Sequence, residues 1–224
     1  WEIWNEPNLA GFWRPQPEPA QYARLLKRAA VIIRRVDPAA RIVGGVLSKV
    51  DLKFTEAFLR EGAGDSLDIL CYHPYNNIPE DDVPDIIALR ELAHRYNPKI
   101  VLWQGECGIP STGDSTDFRG ASPWGLNIQA KFLLRRFLTD AMLDVPMSAY
   151  FMLTEVAQKA SRKPKIVWPD HIRGLLGDPP DGKATGVNSK GLVRYGTWTV
   201  KPAYAACQNI AAVIDGRYSR ADLK

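Results

Sequence analysis

Trp1-Glu2-Ile3-Trp4-Asn5-Glu6-Pro7-Asn8 opens the chain and decides how the rest is read. Trp1, Ile3 and Trp4 suit a buried strand, and Pro7 has no N–H to give a ladder, so pairing has to end about there. The strand therefore stops on Asn5-Glu6, an amide and a carboxylate at the carboxyl end of an apolar run. Parallel α/β barrels carry their catalytic groups at that end of a strand. Fold and function then turn on whether a second carboxylate, on another strand, faces Glu6.

Outward from this stretch the chain alternates. A proline- and aromatic-rich loop holds Trp13. Residues 19–36 place Tyr22, Leu25, Leu26, Ala29, Ile32, Ile33 and Val36 on one helical stripe, and Asp37-Pro38 stops it. Residues 41–47 read as a strand interrupted by Gly44-Gly45. A helix over about 52–61 ends at Gly62-Ala63-Gly64, and strand 67–72 runs into His73-Pro74-Tyr75. Helix 83–95 is followed by strand 99–106, a second apolar run that closes on a carboxylate, Glu106. Ser122 and Pro123 fit the cap and first position of a long helix with Leu126, Ala130, Leu133, Phe137 and Ala141 on its buried face. A strand over 147–153, a polar segment over 154–195 longer than an ordinary connection, and a helix over 202–214 complete the order.

Five strands, each buried on both faces and alternating with helices, predict a parallel α/β fold. A doubly wound sheet would want a glycine-rich turn after its first strand, yet Val43-Gly44-Gly45-Val46 sits within one. The (β/α)8 TIM barrel is the better reading. In a barrel all strands point the same way, so Glu6 and Glu106 emerge on one rim. Two carboxylates across a cleft are what glycoside hydrolysis uses: one protonates the leaving oxygen, the other attacks or activates water.

Bulk properties exclude other classes. The 224 residues are 46% hydrophobic, and the net charge of +4 is dispersed, with no basic helix to make a nucleic acid a partner. Cys71, Cys107 and Cys207 are odd in number and unrelated in spacing, so neither a disulfide framework nor a zinc site is expected. Cys107 reads as a small buried thiol. The three histidines are scattered, and no metal or other cofactor is expected. No apolar run approaches the ~18 residues of a membrane span. The compartment is not legible: no leader is visible, and secreted or periplasmic placement is compatible with the chain.

Trp-Asn-Glu-Pro-Asn at 4–8 resembles the acid/base motif that ends the fourth barrel strand of clan A retaining glycoside hydrolases. Gln104-Gly105-Glu106-Cys107-Gly108 resembles their nucleophile motif at the end of the seventh strand, and His73-Pro74-Tyr75 the end of the sixth. Gly191-Leu192-Val193 with Lys201-Pro202-Ala203-Tyr204 is similar to the closing segment before the eighth helix. The matches fall in family order and are nearest the β-xylosidase/α-L-iduronidase and cellulase-like families.

The resemblance implies a carbohydrate substrate and retaining hydrolysis of β-linked poly- or oligosaccharides. Glu6 would be the acid/base and Glu106 the nucleophile. Asn5 would bond the sugar 2-hydroxyl, and Tyr75 or His73 would orient Glu106. Strict alternation opposes Asn5 to Glu6, so the strand must bulge or end there for both to serve. Trp13, Trp124 and Trp168 are candidate sugar-stacking residues, while Trp103 is expected on the helix-packed side, opposite Gln104 and Glu106. Tyr150 stands where the family often floors its subsite with Trp, and Gln104-Gly105 departs from the usual residues before the nucleophile. The resemblance also implies that 1–224 is the carboxyl-terminal part of a barrel, strands four to eight, whose partner is the remainder of that barrel. Transglycosylation is compatible with the same residues; a non-catalytic carbohydrate-binding relative or inactive fragment is the alternative.

Overall fold

The computed structural model describes residues 1–111, 125–159 and 184–214. Ser122, Pro123, Trp124 and Trp168 lie outside them. By its contacts the chain divides into two compact units, Trp1–Cys107 with Leu138–Ala149, and Gly108–Phe137 with Tyr150–Lys224.

The first unit is built on α1 (Pro19–Val36), β1 (Val43–Ser48), α2 (Leu52–Phe58), β2 (Ile69–His73), α3 (Val83–Tyr96) and β3 (Val101–Cys107). Helix α4 (Leu126–Met142) leads to β4 (Ser148–Tyr150), which joins the edge of a four-stranded sheet ordered β1-β2-β3-β4. The β1–β2 and β2–β3 pairs are parallel. Strand order follows chain order among the described strands, without the reversal of a doubly wound sheet.

Side-chain parity divides the sheet into two faces. Ile42, Leu47, Leu70, Tyr72 and Leu102 pack with residues of α1, α2 and α3 in the main core. Val43, Val46, Ile69 and Cys71 form a second cluster, joined by Val101 and Trp103. Trp103 therefore belongs to the second cluster, contrary to the expectation from alternation, with the Arg41 guanidinium 5.7 Å from its ring centroid. Both Val46 and Leu47 are buried, yet they join different clusters. A register shift between Gly45 and Leu47 inserts one extra residue into β1 and flips its parity.

The opening stretch is not the continuous strand expected. Glu2 makes an isolated parallel bridge with Val43, where Ile3 N–H reaches Val43 O at 3.0 Å and Val43 N–H reaches Trp1 O at 2.9 Å. Trp4 (φ 70°) then leaves the extended region, as does Glu6 (φ 43°), whose N–H bonds to Val46 O at 2.9 Å. The bulge frees backbone groups that Tyr22 of α1 satisfies. Its fully buried hydroxyl accepts from Gly45 N–H (2.7 Å) and donates to Ile3 O (3.2 Å). Burial raises the pKa of this phenol far above its ordinary value, which keeps the donor in place.

In the second unit, β5 (Val156–Lys159) and β6 (Ala184–Asn188) form an antiparallel pair within the polar segment read from sequence as longer than an ordinary connection. Leu133, Leu192, Ala203 and Ile210 make its core, the last two from α5 (Pro202–Val213). Lys201, before α5, is buried against Glu155 and donates to Ser111 Oγ and Ser189 O, both at 2.9 Å. Burial lowers its pKa and the Glu155 charge opposes that shift. The buried stripe of α4 is more polar than expected: Gln129, Arg136, Thr139 and Asp140 accompany Phe132 and Leu133. Gln129 Nε2 lies within hydrogen-bond reach of the carbonyls of Ile109, Ser189 and Lys190. No helix among the described residues is long and apolar enough to cross a membrane.

Tyr22→Phe would leave Gly45 N–H and Ile3 C=O buried without partners, a loss of about 2–4 kcal/mol in unfolding free energy. Urea denaturation of the variant should show it at an unchanged m-value. A loss under about 0.5 kcal/mol would mean that the hydroxyl does not hold the bulge.

Candidate active site

Four side chains of the first unit meet at the carboxyl ends of its strands. His73 ends β2 and shares a face with Ile69 and Cys71 by the two-residue period. Its Nδ1 lies 3.1 Å from Glu6 Oε1 and 3.9 Å from Glu106 Oε2. Both carboxylates thus approach one ring nitrogen, which caps the gap between their nearer oxygens at about 7 Å. The imidazole is buried, the Glu6 side chain retains 11% of its exposure and that of Glu106 26%.

Tyr75 donates its hydroxyl hydrogen to Glu106 Oε1. Burial first, then the bond to Glu106 and its charge, raise the pKa of this phenol well above that of a free tyrosine. A hydroxyl so held is a permanent donor, which fixes one Glu106 oxygen. The two orienting residues named from sequence therefore divide their work: Tyr75 bonds Glu106, and the nearer carboxylate to His73 is Glu6.

Local backbone places Glu6. Its positive φ and that of Trp4 end the alternation that would otherwise oppose Asn5 to Glu6. Asn5 is half-buried, and among the described residues its side-chain amide takes no hydrogen bond. Asn8, the last residue of the opening motif, is anchored twice to β1. Ser48 N–H reaches its Oδ1 at 3.0 Å, and its Nδ2 donates to Ser48 O at 2.9 Å and to Asp51 Oδ2 at 3.2 Å. No sequence signal marks this, because the partner is main chain forty positions away.

Beneath the carboxylates lies a tight floor. A Cβ added at Gly105 would stand 2.3 Å from Cys71 Sγ and 3.3 Å from His73 Nε2, so the departure at this position has a steric reason. Burial, then the nearby Glu2 charge, pushes the Cys71 thiol up to about 12, and it stays a neutral packing group. Cys107 is fully buried, with its Sγ donating to Ala149 O at 3.4 Å.

The aromatic candidates fare differently. Trp13 packs edge-on against Trp4 (centroids 5.6 Å apart) and Tyr22 (6.0 Å), so packing accounts for its ring. Tyr150 belongs to the second unit, where its ring packs against the Leu133–Leu192 cluster and its hydroxyl donates to Ile109 O at 3.2 Å. Among the described residues, no group of three or more His, Cys, Asp or Glu could hold a metal ion.

No protein-family model matches the sequence, and no curated protein does. Solved structures do match the fold. A monomeric β-xylosidase from Caulobacter crescentus superposes with TM-score 0.65 at 21% identity, over 94% of this chain and 41% of that one. The GH39 enzyme from Xanthomonas axonopodis pv. citri gives 0.64 at 20%, over 96% and 40%. A GH2 β-galacturonidase from Eisenbergiella tayi gives 0.56 at 14%, over 96% and 33%. At such identities the likeness is one of fold, one that these glycoside hydrolases share, and the chain spans about two fifths of the length of the first two.

Gly105→Ala should destabilise the protein by about 1–3 kcal/mol through overpacking on Cys71. Cys71→Ala in the same chain should recover about 1 kcal/mol or more of that loss, read as the coupling term of a double-mutant cycle. Additive effects would show that the two positions do not press on one another.

Proposed function

We propose that this chain carries the acid/base and nucleophile of a retaining glycoside hydrolase acting on β-linked poly- or oligosaccharides. One observation carries the reading: Glu6 of the opening stretch and Glu106 of β3 converge on a single nitrogen of His73. A glycoside hydrolase fold shared with β-xylosidases supports it. So does the parallel sheet in chain order, read as strands five to eight of a (β/α)8 barrel, with the opening stretch as the fourth.

In this mechanism the Glu106 carboxylate attacks the anomeric carbon from the face opposite the leaving group. The bond from carbon to the leaving oxygen breaks as Glu6 gives that oxygen its proton. Tyr75 holds Glu106 Oε1 by its hydroxyl, so the other oxygen is the one directed at carbon. Glu6, now ionised, takes a proton from water while the water oxygen attacks the anomeric carbon and the bond to Glu106 breaks. Two inversions return the original β configuration. His73 sits against Glu6 and aligns it in both steps. Asn5 binds the sugar 2-hydroxyl, an interaction that strengthens as the ring flattens.

Stereochemistry tests the assignment. Removing the nucleophile in Glu106→Ala abolishes turnover, and azide occupying its place on an activated β-glycoside should give the α-glycosyl azide. Glu6→Gln should lose about 10²–10⁴-fold in kcat/KM on poor leaving groups, far less on good ones, and should give the β-azide. Exchanged azide products would reverse the two roles. Absence of any leaving-group dependence in Glu6→Gln would remove Glu6 as the acid.

A further inference from the structure

The backbone around Glu6 is held where most residues do not stay. Trp4 (φ 70°), Glu6 (φ 43°), Val46 (φ 50°) and Lys49 (φ 62°) are all left-handed and none is glycine; Val46 is β-branched, for which this region is a true outlier. Such residues cost about 1–3 kcal/mol each and persist only where their surroundings over-determine them. Lys49 N–H to His73 O (2.9 Å) and Glu6 N–H to Val46 O (2.9 Å) tie parts of this region together.

The side chain that fastens the Glu6 segment to β1 is Asn8. Its amide meets both the N–H and the C=O of Ser48, as a neighbouring strand would, and its second Nδ2 hydrogen is taken by Asp51. Asp51 is itself fixed, accepting from Phe54 N–H at 2.9 Å as the cap of α2. Between Asn8 and Glu6 lies only the buried Pro7, whose ring locks φ and leaves little slack. Ser48 is paired in register with His73, the residue against which Glu6 rests. A single short lever therefore joins the Glu6 backbone to the strand pair that carries its imidazole partner.

We infer that Asn8 is a positioning residue for the acid/base: its amide clamp on Ser48 and Asp51 sets where the Glu6 carboxylate stands relative to His73 and Glu106. The inference rests on the acid/base reading of Glu6. A carboxylate displaced by about 1 Å at a reacting centre costs as much as ~10²-fold in rate. The loss should fall where proton delivery limits the reaction.

The test uses Asn8→Ala and Asn8→Asp in the protein, with Glu6→Gln alongside. The Asp variant is isosteric and keeps the acceptor for Ser48 N–H; it loses the donors and sets a carboxylate against Asp51, so it serves where the Ala variant does not fold. Either variant should lose about 10-fold or more in kcat/KM on aryl glycosides of poor leaving groups, with a several-fold smaller loss on good ones. A crystal structure of the variant should show Glu6 Oε1 withdrawn from its 3.1 Å approach to His73 Nδ1. Equal losses on both substrate sets, or an unmoved Glu6, would make Asn8 a clamp for stability alone and overturn the inference. If Glu6→Gln itself shows no leaving-group dependence, the acid/base reading fails, and the crystallographic distance still decides whether Asn8 positions Glu6.

Discussion

A single buried hydroxyl, that of Tyr22, takes up two backbone groups that no ladder reaches. Without it the extra residue in β1 would strand Gly45 N–H and Ile3 C=O in the core, a cost comparable to much of a domain's net stability. With it, β1 can bulge, reverse its parity and offer Val46 O to the Glu6 N–H. The bulge, in turn, lets the opening stretch leave the sheet at the height of His73. Helix α1 thereby shapes the candidate site through the buried hydroxyl of Tyr22.

The proposed chemistry rests on a division of partners around two carboxylates. Glu106 is bonded by Tyr75, which its surroundings keep protonated and so keep as a donor. Glu6 lies against His73 in a more buried position. Different neighbours at one site are how a fold gives two like groups unlike tasks. Gly105 and Cys71 make this possible from below: any side chain at 105 would collide with the thiol or the imidazole.

Much of this was legible in the sequence where physics is local. The α1 stripe and its Asp37-Pro38 stop, the β2 and β3 apolar runs, and Glu106 near the end of β3 follow from periodicity and from what proline cannot do. What escaped was non-local. Gly44-Gly45 signalled an interruption, but its parity reversal depends on pairing with β2, which no single strand encodes. The opening octet looked like a strand because its composition suits one; positive φ at Trp4 and Glu6 made it a bridge and a turn instead. Trp103 packs with the Val43–Cys71 cluster and not in the helix-packed core that alternation predicts, and only the neighbouring strands show which face is which. The polar buried stripe of α4 and the anchorage of Asn8 both rest on main-chain partners far along the chain, which side-chain patterns cannot announce.

The central claim is that Glu106 forms a covalent bond to sugar while Glu6 handles the proton. A 2-deoxy-2-fluoro β-glycoside with a good leaving group slows breakdown of such an intermediate enough for it to accumulate. Mass spectrometry of the treated protein after digestion tests the claim most directly. The account predicts one glycosyl adduct per molecule, on the peptide containing Glu106. An adduct on a different residue, or turnover that proceeds without any adduct and releases the inverted sugar, would contradict it.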